Sequence, residues 1–239
     1  MHQRVSLVTG AARGLGLAVA RELAAGGDRV HLVWRTSSDR ASQLEPEFAG
    51  RLHRADLLES AAAHAVVGQV LEAEGRLDRV VHAVGDFESG RLDQLEPETL
   101  RRLFESNVMS AWNLVAAGRQ AIRASGGAWL FFGCAGLGGG RARTQAAGYA
   151  ATKSALALLV RSMAKEEAPH GVRVNMLSPG IVPHDGAHAD TLNPARQAAI
   201  PMGRTGRPEE IARAAAWLLS EDSGYATGQD LEVAGGWLL

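Results

Sequence analysis

The stretch Val5–Gly16, with the sequence VSLVTGAARGLG, decides the fold. An apolar run of strand length leads into a turn that holds three glycines, and a segment of helical period follows. Glycine at positions 10, 14 and 16 permits a tight turn, a close backbone approach to a pyrophosphate and close packing of helix on strand. The stretch therefore predicts a dinucleotide-binding turn in which Gly10, Arg13, Gly14, Leu15 and Gly16 contact the ligand. The alternative is a purely structural turn.

The rest of the chain repeats this alternation of strand and helix. Strands are predicted at Val5–Val8, Val30–Trp34, Leu77–Val84, Ala128–Phe132 and Val172–Leu177, each separated from the next by a helical segment. Such alternation indicates βαβ units and a parallel sheet, because parallel strands need crossover helices and are buried on both faces. We expect a single domain over residues 1–239, a doubly wound α/β fold of Rossmann type with a sheet of about seven strands.

Composition excludes several classes of protein. The chain has 239 residues, with 25 Lys and Arg against 26 Asp and Glu, and the net charge of −1 disfavours nucleic acid as a partner. The single cysteine, Cys134, can form neither an internal disulfide nor a zinc site by itself. The start of the sequence lacks the apolar core of a signal peptide, and no stretch reaches the roughly 18 apolar residues of a membrane span. We expect a cytoplasmic protein that does not bind membranes.

The end of the second predicted strand indicates which dinucleotide binds. It reads Val33-Trp34-Arg35-Thr36-Ser37, without the Asp or Glu that would accept a hydrogen bond from a ribose hydroxyl. Arginine followed by hydroxyl side chains suits a 2′-phosphate, so Arg35 and Ser37 favour NADP(H) over NAD(H). The alternative for Arg35 is a solvated loop residue.

Tyr149 and Lys153 are the candidate catalytic pair. The chain has only two tyrosines and two lysines, and this pair is four residues apart at the start of an apolar helical segment. Residues with that spacing share one helix face. A phenol with a pKa near 10 transfers protons poorly at neutral pH unless a cation favours its phenolate, and we expect Lys153 to supply that cation. Tyr149 would then protonate a carbonyl oxygen as a hydride arrives. The alternative is a surface pair.

Thr9-Gly10-x-x-x-Gly14-x-Gly16 together with Tyr149-x-x-x-Lys153 resembles the short-chain dehydrogenase/reductase family, and the resemblance covers the whole chain. It implies that Asn107 completes the catalytic set, that Tyr149 and Lys153 also contact the cofactor, and that no metal is needed. Further cofactor contacts implied by the resemblance are Asp56 and Leu57 for the adenine, Gly85 for the ribose, and Pro179, Gly180 and Ile181 for the nicotinamide.

The tail from residue 200 to residue 237 is similar to that of 3-oxoacyl-acyl-carrier-protein reductases. This likeness implies NADPH-dependent reduction of a ketone or a thioester-bound 3-oxoacyl group, with an acyl carrier protein as a possible partner that Arg123 helps to dock. It also implies a homodimer or homotetramer with Trp237, Leu238 and Leu239 near an interface. Arg141 and Arg143 either meet an anionic part of the substrate or belong to a solvated loop. Reduction of a pteridine or a quinone is an alternative activity.

The sequence departs from the family at the catalytic serine. That serine should follow the fifth strand, but Gly133 or Gly136 stands at its place, depending on how the residues are counted. Cys134, Thr144 or a water could replace its hydroxyl. Losing such a donor costs roughly 2.7–4 kcal/mol of transition-state stabilisation. A second hypothesis is therefore a dinucleotide-binding protein with impaired catalysis, acting as a sensor or an assembly subunit.

Two histidine-bearing segments have structural interpretations. His82 stands where the family usually has asparagine, and we expect it to be packed or to face the ribose rather than to catalyse. The segment His184–Asp190 has residue types found in metal sites, but Gly186 and the preceding Pro183 favour a polar lid instead.

Overall fold

The computed structural model describes residues 3–36, 38–140, 142–185 and 194–238. Within them, seven strands form one sheet in the order β3-β2-β1-β4-β5-β6-β7, and every pairing is parallel. The strands are β1 Val5–Thr9, β2 Arg29–Trp34, β3 Leu52–Arg54, β4 Arg79–His82, β5 Ala128–Phe132, β6 Arg173–Pro179 and β7 Asp230–Val233. The predicted doubly wound, Rossmann-type α/β fold is confirmed.

The helices of the described residues follow the strands as the alternation predicted. They are α1 Gly14–Ala25, α2 Ser38–Phe48, α3 Ser60–Glu74, α4 Pro97–Phe104, α5 Ser110–Ser125, α6 Ala147–Glu167, α7 Pro194–Ala198 and α8 Pro208–Leu219. A π-helical turn, Glu105–Met109, joins α4 to α5 without a break. Short 3-10 turns lie at Leu92–Gln94, Gly138–Gly140, Ala168–His170 and Glu221–Ser223.

Helices cover both faces of the sheet and divide the core in two. Successive strand residues point to opposite faces, so Leu7 packs with α3, α5 and α6, whereas Val8 packs with α1, α2 and α8. The central strands β1, β2, β4, β5 and β6 are therefore largely buried on both faces, which explains why runs rich in apolar residues predicted them.

The strand order reverses between β1 and β4, and this reversal positions the site. Thr9 at the end of β1 lies beside His82 at the end of β4. The chain leaves these two strands toward opposite sides of the sheet, and ligands of such folds bind in the crevice that opens there. The strand predicted over Leu77–Val84 is shorter in the structure, since the chain leaves the sheet after His82 and Ala83 passes close to Gly10.

Candidate active site

The glycine-rich turn between β1 and α1 forms one wall of the crevice. Gly10 has a φ of +66°, and a Cβ on it would lie 2.7 Å from the carbonyl oxygen of Ala83. The turn can therefore approach β4 only because residue 10 has no side chain. Gly14 begins α1 directly after Arg13. The unpaired N–H groups of this helix end favour an anion, as the sequence predicted for a pyrophosphate.

A cavity of about 730 Å³ runs from this turn along the carboxyl ends of the strands. It brings together every predicted cofactor residue within the described part of the chain. Its lining includes Gly10, Arg13, Gly14, Leu15, Gly16, Arg35, Asp56, Leu57, Gly85, Tyr149, Lys153, Pro179, Gly180 and Ile181. Ser37, the second residue predicted for a 2′-phosphate, lies outside the described residues.

Arg35 and Asp56 lie together at one end of the cavity. Arg35 Nη1 donates a hydrogen bond to Asp56 Oδ2 over 3.4 Å, and both side chains are about half exposed. Asp56 Oδ1 accepts a second hydrogen bond from the Leu58 amide at 3.1 Å. The carboxylate is thus held in place by two partners, and this end of the cavity carries the positive charge of Arg35 at its rim.

Tyr149 and Lys153 share a face of α6, as their spacing predicted, and both line the cavity. Lys153 is only 3% exposed, and its Nζ donates to the Phe132 carbonyl oxygen at 2.8 Å. The same Nζ lies 5.7 Å from the centre of the Tyr149 ring. Burial lowers the pKa of Lys153 to about 8.

The protonation of Tyr149 differs from the sequence-based expectation. Burial raises the pKa of its phenol well above the ordinary value, so the hydroxyl keeps its proton at neutral pH. The Lys153 ammonium lies 5.7 Å from the ring centre and donates to the Phe132 carbonyl oxygen, and burial determines the direction of the shift in the phenol's pKa. A half-buried, protonated phenol in the cavity wall is suited to donate a proton, which is the direction that reduction of a carbonyl requires.

Asn107 lies behind the cavity wall rather than in its lining. It belongs to the π-helical turn and is fully buried, and its Nδ2 donates to the Asp86 carbonyl oxygen at 3.0 Å and to Thr152 Oγ1 at 3.1 Å. Thr152 in turn donates to the Tyr149 carbonyl oxygen at 2.8 Å. The Oδ1 atom of Asn107 accepts no hydrogen bond from any described residue and adjoins Gly85. The site therefore holds an unsatisfied acceptor close to Lys153. Nothing in the local sequence marks Thr152, whose role depends on its contact with Asn107.

His82 is packed between β1 and α5 and does not line the cavity. Its Nδ1 lies 3.0 Å from Thr9 Oγ1, and its Nε2 lies 3.1 Å from Ser110 Oγ. Ser110 donates its own proton to the Ser106 carbonyl oxygen, so we assign the His82 proton to Nε2, and Nδ1 accepts from Thr9. Burial lowers the pKa of His82 to about 3. The interpretation as a packed neutral residue agrees with this environment.

The strand end that follows β5 presents a thiol to the cavity. A Cβ on Gly133 would lie 2.7 Å from Met176 Sδ, so that position faces β6, while a Cβ on Gly136 would meet Arg143 Nη2 at 2.8 Å. Cys134 lies between them and lines the cavity with Tyr149. Burial raises the pKa of the Cys134 thiol to about 11, so it is an S–H group at neutral pH. Thr144, the other candidate donor, also lines the cavity but is exposed.

Apolar side chains surround the part of the cavity beside Tyr149. The Phe87 ring meets Tyr149 edge-on, with ring centres 4.9 Å apart. Trp237 and Leu238 also line the cavity. These are the residues expected near a subunit interface, a prediction that the structure of one chain does not test; Leu239 lies outside the described residues.

Arg123 has a structural role that the sequence did not reveal. Arg123, which we expect to help dock an acyl carrier protein, donates to the fully buried Glu167 at 2.7 and 3.0 Å. The interaction joins α5 to α6, because a buried carboxylate needs a paired cation. Arg141, the other arginine of uncertain role beside Arg143, lies outside the described residues.

The loop after β6 contacts the glycine-rich turn. A Cβ on Gly14 would lie 2.9 Å from His184 Nδ1, and Asp185 forms an ion pair with Arg40 of α2. Residues 186–190 of the predicted lid lie outside the described residues. Among the residues that the structure does describe, no group of three His, Cys, Asp or Glu could hold a metal ion, and no helix could cross a membrane.

Comparisons with known proteins identify the family. A family model described as "Enoyl-(Acyl carrier protein) reductase" matches residues 10–238. The 3-oxoacyl-[acyl-carrier-protein] reductase FabG of Escherichia coli K12 is 30% identical over 243 residues, which cover 98% of this chain and 96% of the relative.

Solved structures agree with this assignment. The 3-ketoacyl-(acyl-carrier-protein) reductase of Brucella melitensis, complexed with NADH, superposes with a TM-score of 0.88 at 28% identity, covering 99% of this chain and 98% of the other. A blue fluorescent protein from a metagenomic library, in complex with NADPH, gives a TM-score of 0.90 at 28% identity with the same coverage. The chain belongs to the short-chain dehydrogenase/reductase family of oxidoreductases and is similar to its 3-oxoacyl-acyl-carrier-protein reductases.

Proposed function

We propose that residues 1–239 act as one NADP(H)-binding domain and as an NADPH-dependent carbonyl reductase similar to 3-oxoacyl-acyl-carrier-protein reductases. One observation carries the proposal: Tyr149 and Lys153 lie in the same cavity as the glycine-rich turn. A protonated phenol beside a buried ammonium supplies acid chemistry, and the turn supplies a place for a dinucleotide.

The residues present fit a dinucleotide. Gly10 leaves a cradle that a Cβ would fill, and Arg13 follows it at the start of α1. Arg35 favours NADP(H), because it supplies a cation at the cavity rim while the nearby Asp56 carboxylate already has two hydrogen-bond partners. In this proposal the phosphates contact Gly10, Arg13, Gly14, Leu15 and Gly16, the adenosine end contacts Arg35, Ser37, Asp56 and Leu57, and the nicotinamide end contacts Gly85, Tyr149, Lys153, Pro179, Gly180 and Ile181.

Tyr149, Lys153 and Asn107 have different roles in the proposed proton transfer. When bound, NADPH supplies the hydride that adds to the carbonyl carbon. Tyr149 donates its proton to the carbonyl oxygen, so that the ketone becomes an alcohol and the phenol a phenolate. The Lys153 ammonium, charged below a pKa of about 8, stabilises that phenolate. Asn107 Oδ1, the unpartnered acceptor beside Lys153, orders a water through which the proton is replaced.

Cys134 takes the place of the hydroxyl donor that the family resemblance implies. Its side chain lines the cavity with Tyr149, whereas the position of Gly133 faces Met176. Since an S–H group is a weak donor, the substrate oxygen receives less stabilisation than a hydroxyl would give. The enzyme is therefore a slower reductase than one with serine at this position.

NADPH oxidation with an acetoacetyl thioester tests the proposed function. We expect turnover by the unmodified protein and a loss of at least about 100-fold in Tyr149→Phe, which keeps the ring but removes the acid. Tyr225→Phe is the matched control, because Tyr225 is the other tyrosine and is fully exposed. Turnover that survives in Tyr149→Phe would contradict the assignment of the general acid.

A dinucleotide-binding protein with impaired catalysis is the second candidate. The observation that favours it is the thiol, rather than a hydroxyl, at the end of β5. Tight NADPH binding without turnover of thioester, aliphatic and aromatic ketones, unchanged in Tyr149→Phe, would favour this candidate over the reductase.

A cytoplasmic homodimer or homotetramer is the proposed assembly. Helices α5 and α6 leave large apolar side chains exposed, and so does the π-helical turn before them: Trp112 is 42%, Leu158 62% and Met109 47% exposed. Exposed apolar side chains on these helices suit burial against a second copy of the chain. An acyl carrier protein remains the proposed carrier of the substrate. Sedimentation analysis of the unmodified protein and of Leu158→Glu tests the assembly, which the charged variant should weaken.

A further inference from the structure

The guanidinium of Arg143 lies in the wall of the cavity next to the reacting groups. Its Nη2 donates to the Ala135 carbonyl oxygen at 2.5 Å, which fixes it over the strand end that carries Cys134. Its charge lowers the pKa of both the Tyr149 phenol and the Cys134 thiol, although burial has the larger, opposite effect on each. The cation is therefore near the position where the carbonyl of a substrate would bind.

The nearby carboxylates each have another partner within the described residues. Asp86 and Glu88 accept from Arg102 at 2.7 and 2.9 Å. Glu232 accepts from the Gly136 amide at 3.0 Å, and Asp230 accepts from Ser178 at 2.6 Å. No described carboxylate forms an ion pair with Arg143. A half-buried cation inside a ligand cavity, bonded to a backbone carbonyl, is available to an anionic ligand.

We infer that the substrate carries a carboxylate that Arg143 binds, so that the protein reduces oxo acids with an apolar or aromatic body. The inference rests on the proposed function and narrows its substrate class. Phe87, Trp237 and Leu238 supply the apolar walls for that body. A planar guanidinium suits a planar carboxylate, and one bound there holds the ketone at a defined distance from Tyr149.

Because Arg143 and Tyr149 line the same part of the cavity, the anion that Arg143 binds can be distinguished from the phosphate of a carrier. A pantetheine arm places a long run of covalent bonds between its phosphate and the thioester carbonyl, so an extended arm holds that phosphate far from Arg143 when the ketone lies at Tyr149. The anion bound by Arg143 must belong to the body of the substrate itself. A neutral thioester can still be reduced, but without help from Arg143.

A matched pair of ketones tests the inference. 3-Acetylbenzoate carries the carboxylate, and methyl 3-acetylbenzoate has the same ketone without the charge. We expect kcat/KM of the unmodified protein to favour the acid by about tenfold or more. Arg143→Gln should lower the ratio of kcat/KM for the acid to kcat/KM for the ester by about tenfold or more, because any effect on the Tyr149 phenol is shared by both ketones. Arg143→Lys should restore part of the loss. Arg213→Gln removes an exposed arginine of α8 and should leave kcat/KM for both ketones unchanged.

Equal losses for acid and ester in Arg143→Gln would show a purely structural role and overturn the inference. So would an unmodified enzyme that uses acid and ester equally well. If neither ketone is reduced, the proposed reductase activity fails for aryl ketones. The inference about Arg143 is then tested by calorimetric binding of benzoate in the presence of NADPH. Binding weakened about tenfold or more by Arg143→Gln would support it. Binding that is undetectable, or unchanged by that substitution, would overturn it.

Discussion

The amide oxygen of Asn107 occupies the space where a Cβ on Gly85 would stand. Lys153 Nζ lies 3.2 Å from the same point, so Gly85 is the place where the π-helical turn, α6 and the end of β4 converge. Residue 85 must therefore be glycine as long as Asn107 points toward it.

Gly85→Ala should therefore displace Asn107 and with it the unpartnered acceptor beside Lys153. Because displacements of about 1 Å in a site can cost about 100-fold in rate, we expect kcat to fall at least about tenfold with a smaller change in KM for NADPH. The measurement is steady-state NADPH oxidation, with circular dichroism to confirm folding.

Gly68→Ala is the control for Gly85→Ala, since a Cβ at this helical position meets no atom within 4 Å. It should keep full activity and stabilise the protein by about 0.5–1 kcal/mol, as alanine does in a helix. A Gly85→Ala variant that folds and turns over at the normal rate would show that the position of Asn107 is unimportant.

Cys134→Ser should increase activity. A hydroxyl is a stronger donor than a thiol, and one well-placed donor is worth about 100-fold or more in rate, so we expect kcat/KM to rise by about 10-fold to 100-fold. Cys134→Ala should lower it by less than about tenfold, because only a weak donor is lost. Thr144→Ala distinguishes the alternative donor and should have no effect. A decrease on Cys134→Ser would argue against direct contact between residue 134 and the substrate oxygen.

Arg35→Asp should reverse the cofactor preference. A carboxylate repels a 2′-phosphate and accepts a hydrogen bond from a ribose hydroxyl, so Kd for NADPH should rise and Kd for NADH should fall, each by about tenfold. Titration of nicotinamide fluorescence measures both. Losing the half-exposed pair with Asp56 should cost about 1 kcal/mol of stability at most. The control is Arg101→Gln, at an exposed site on α4, which should leave both dissociation constants unchanged. If Arg35→Asp also leaves both constants unchanged, Arg35 does not contact the cofactor.

The free energy of unfolding should fall as the pH decreases below 6.5. His82 has a pKa of about 3 when folded against an ordinary value of 6.5, so the unfolded chain takes up a proton first. The stability that neutral His82 provides is complete above pH 6.5 and is lost as the pH falls toward 3. The slope from this group approaches about 1.4 kcal/mol per pH unit. Buried His31 has a lowered pKa and contributes in the same direction.

Urea denaturation at pH 7 and pH 5 measures this dependence. His82→Asn should remove the part due to His82 while keeping a polar group between Thr9 and Ser110. His64→Asn, at an exposed residue of α3, should leave the dependence as it is in the unmodified protein. An unaltered slope in His82→Asn would mean that His82 does not titrate between the folded and unfolded states.

The spacing of residues within short segments predicted the turn at Gly10 and the shared helix face of Tyr149 and Lys153. The turn at Gly10 and the pair Tyr149 and Lys153 lie within short segments, where a strand, a turn or a helix fixes the geometry without help from distant residues. The apolar runs predicted β1, β2, β4, β5 and β6, because these strands are largely buried on both faces of the sheet.

The remaining features depend on contacts between distant segments. Arg123 donates to the buried Glu167 because α5 packs on α6. Trp237 lines the cavity because of the path that the last residues take. Neither sequence position carries a signal of its partner. Counting residues around Cys134 could not reveal that the position of Gly133 faces β6, since that depends on where Met176 lies.

The π-helical turn Glu105–Met109 makes the length of its segment critical. Each residue added to or removed from a helix rotates everything beyond it by about 100°. Deleting one residue here would restore a regular helix, but the buried face of α5 would then turn away from the sheet, or Asn107 would turn away from Gly85. Surface loops of this protein can gain or lose residues at little cost. The Glu105–Met109 segment cannot, so its residue count is as much a determinant of the site as the side chains it carries.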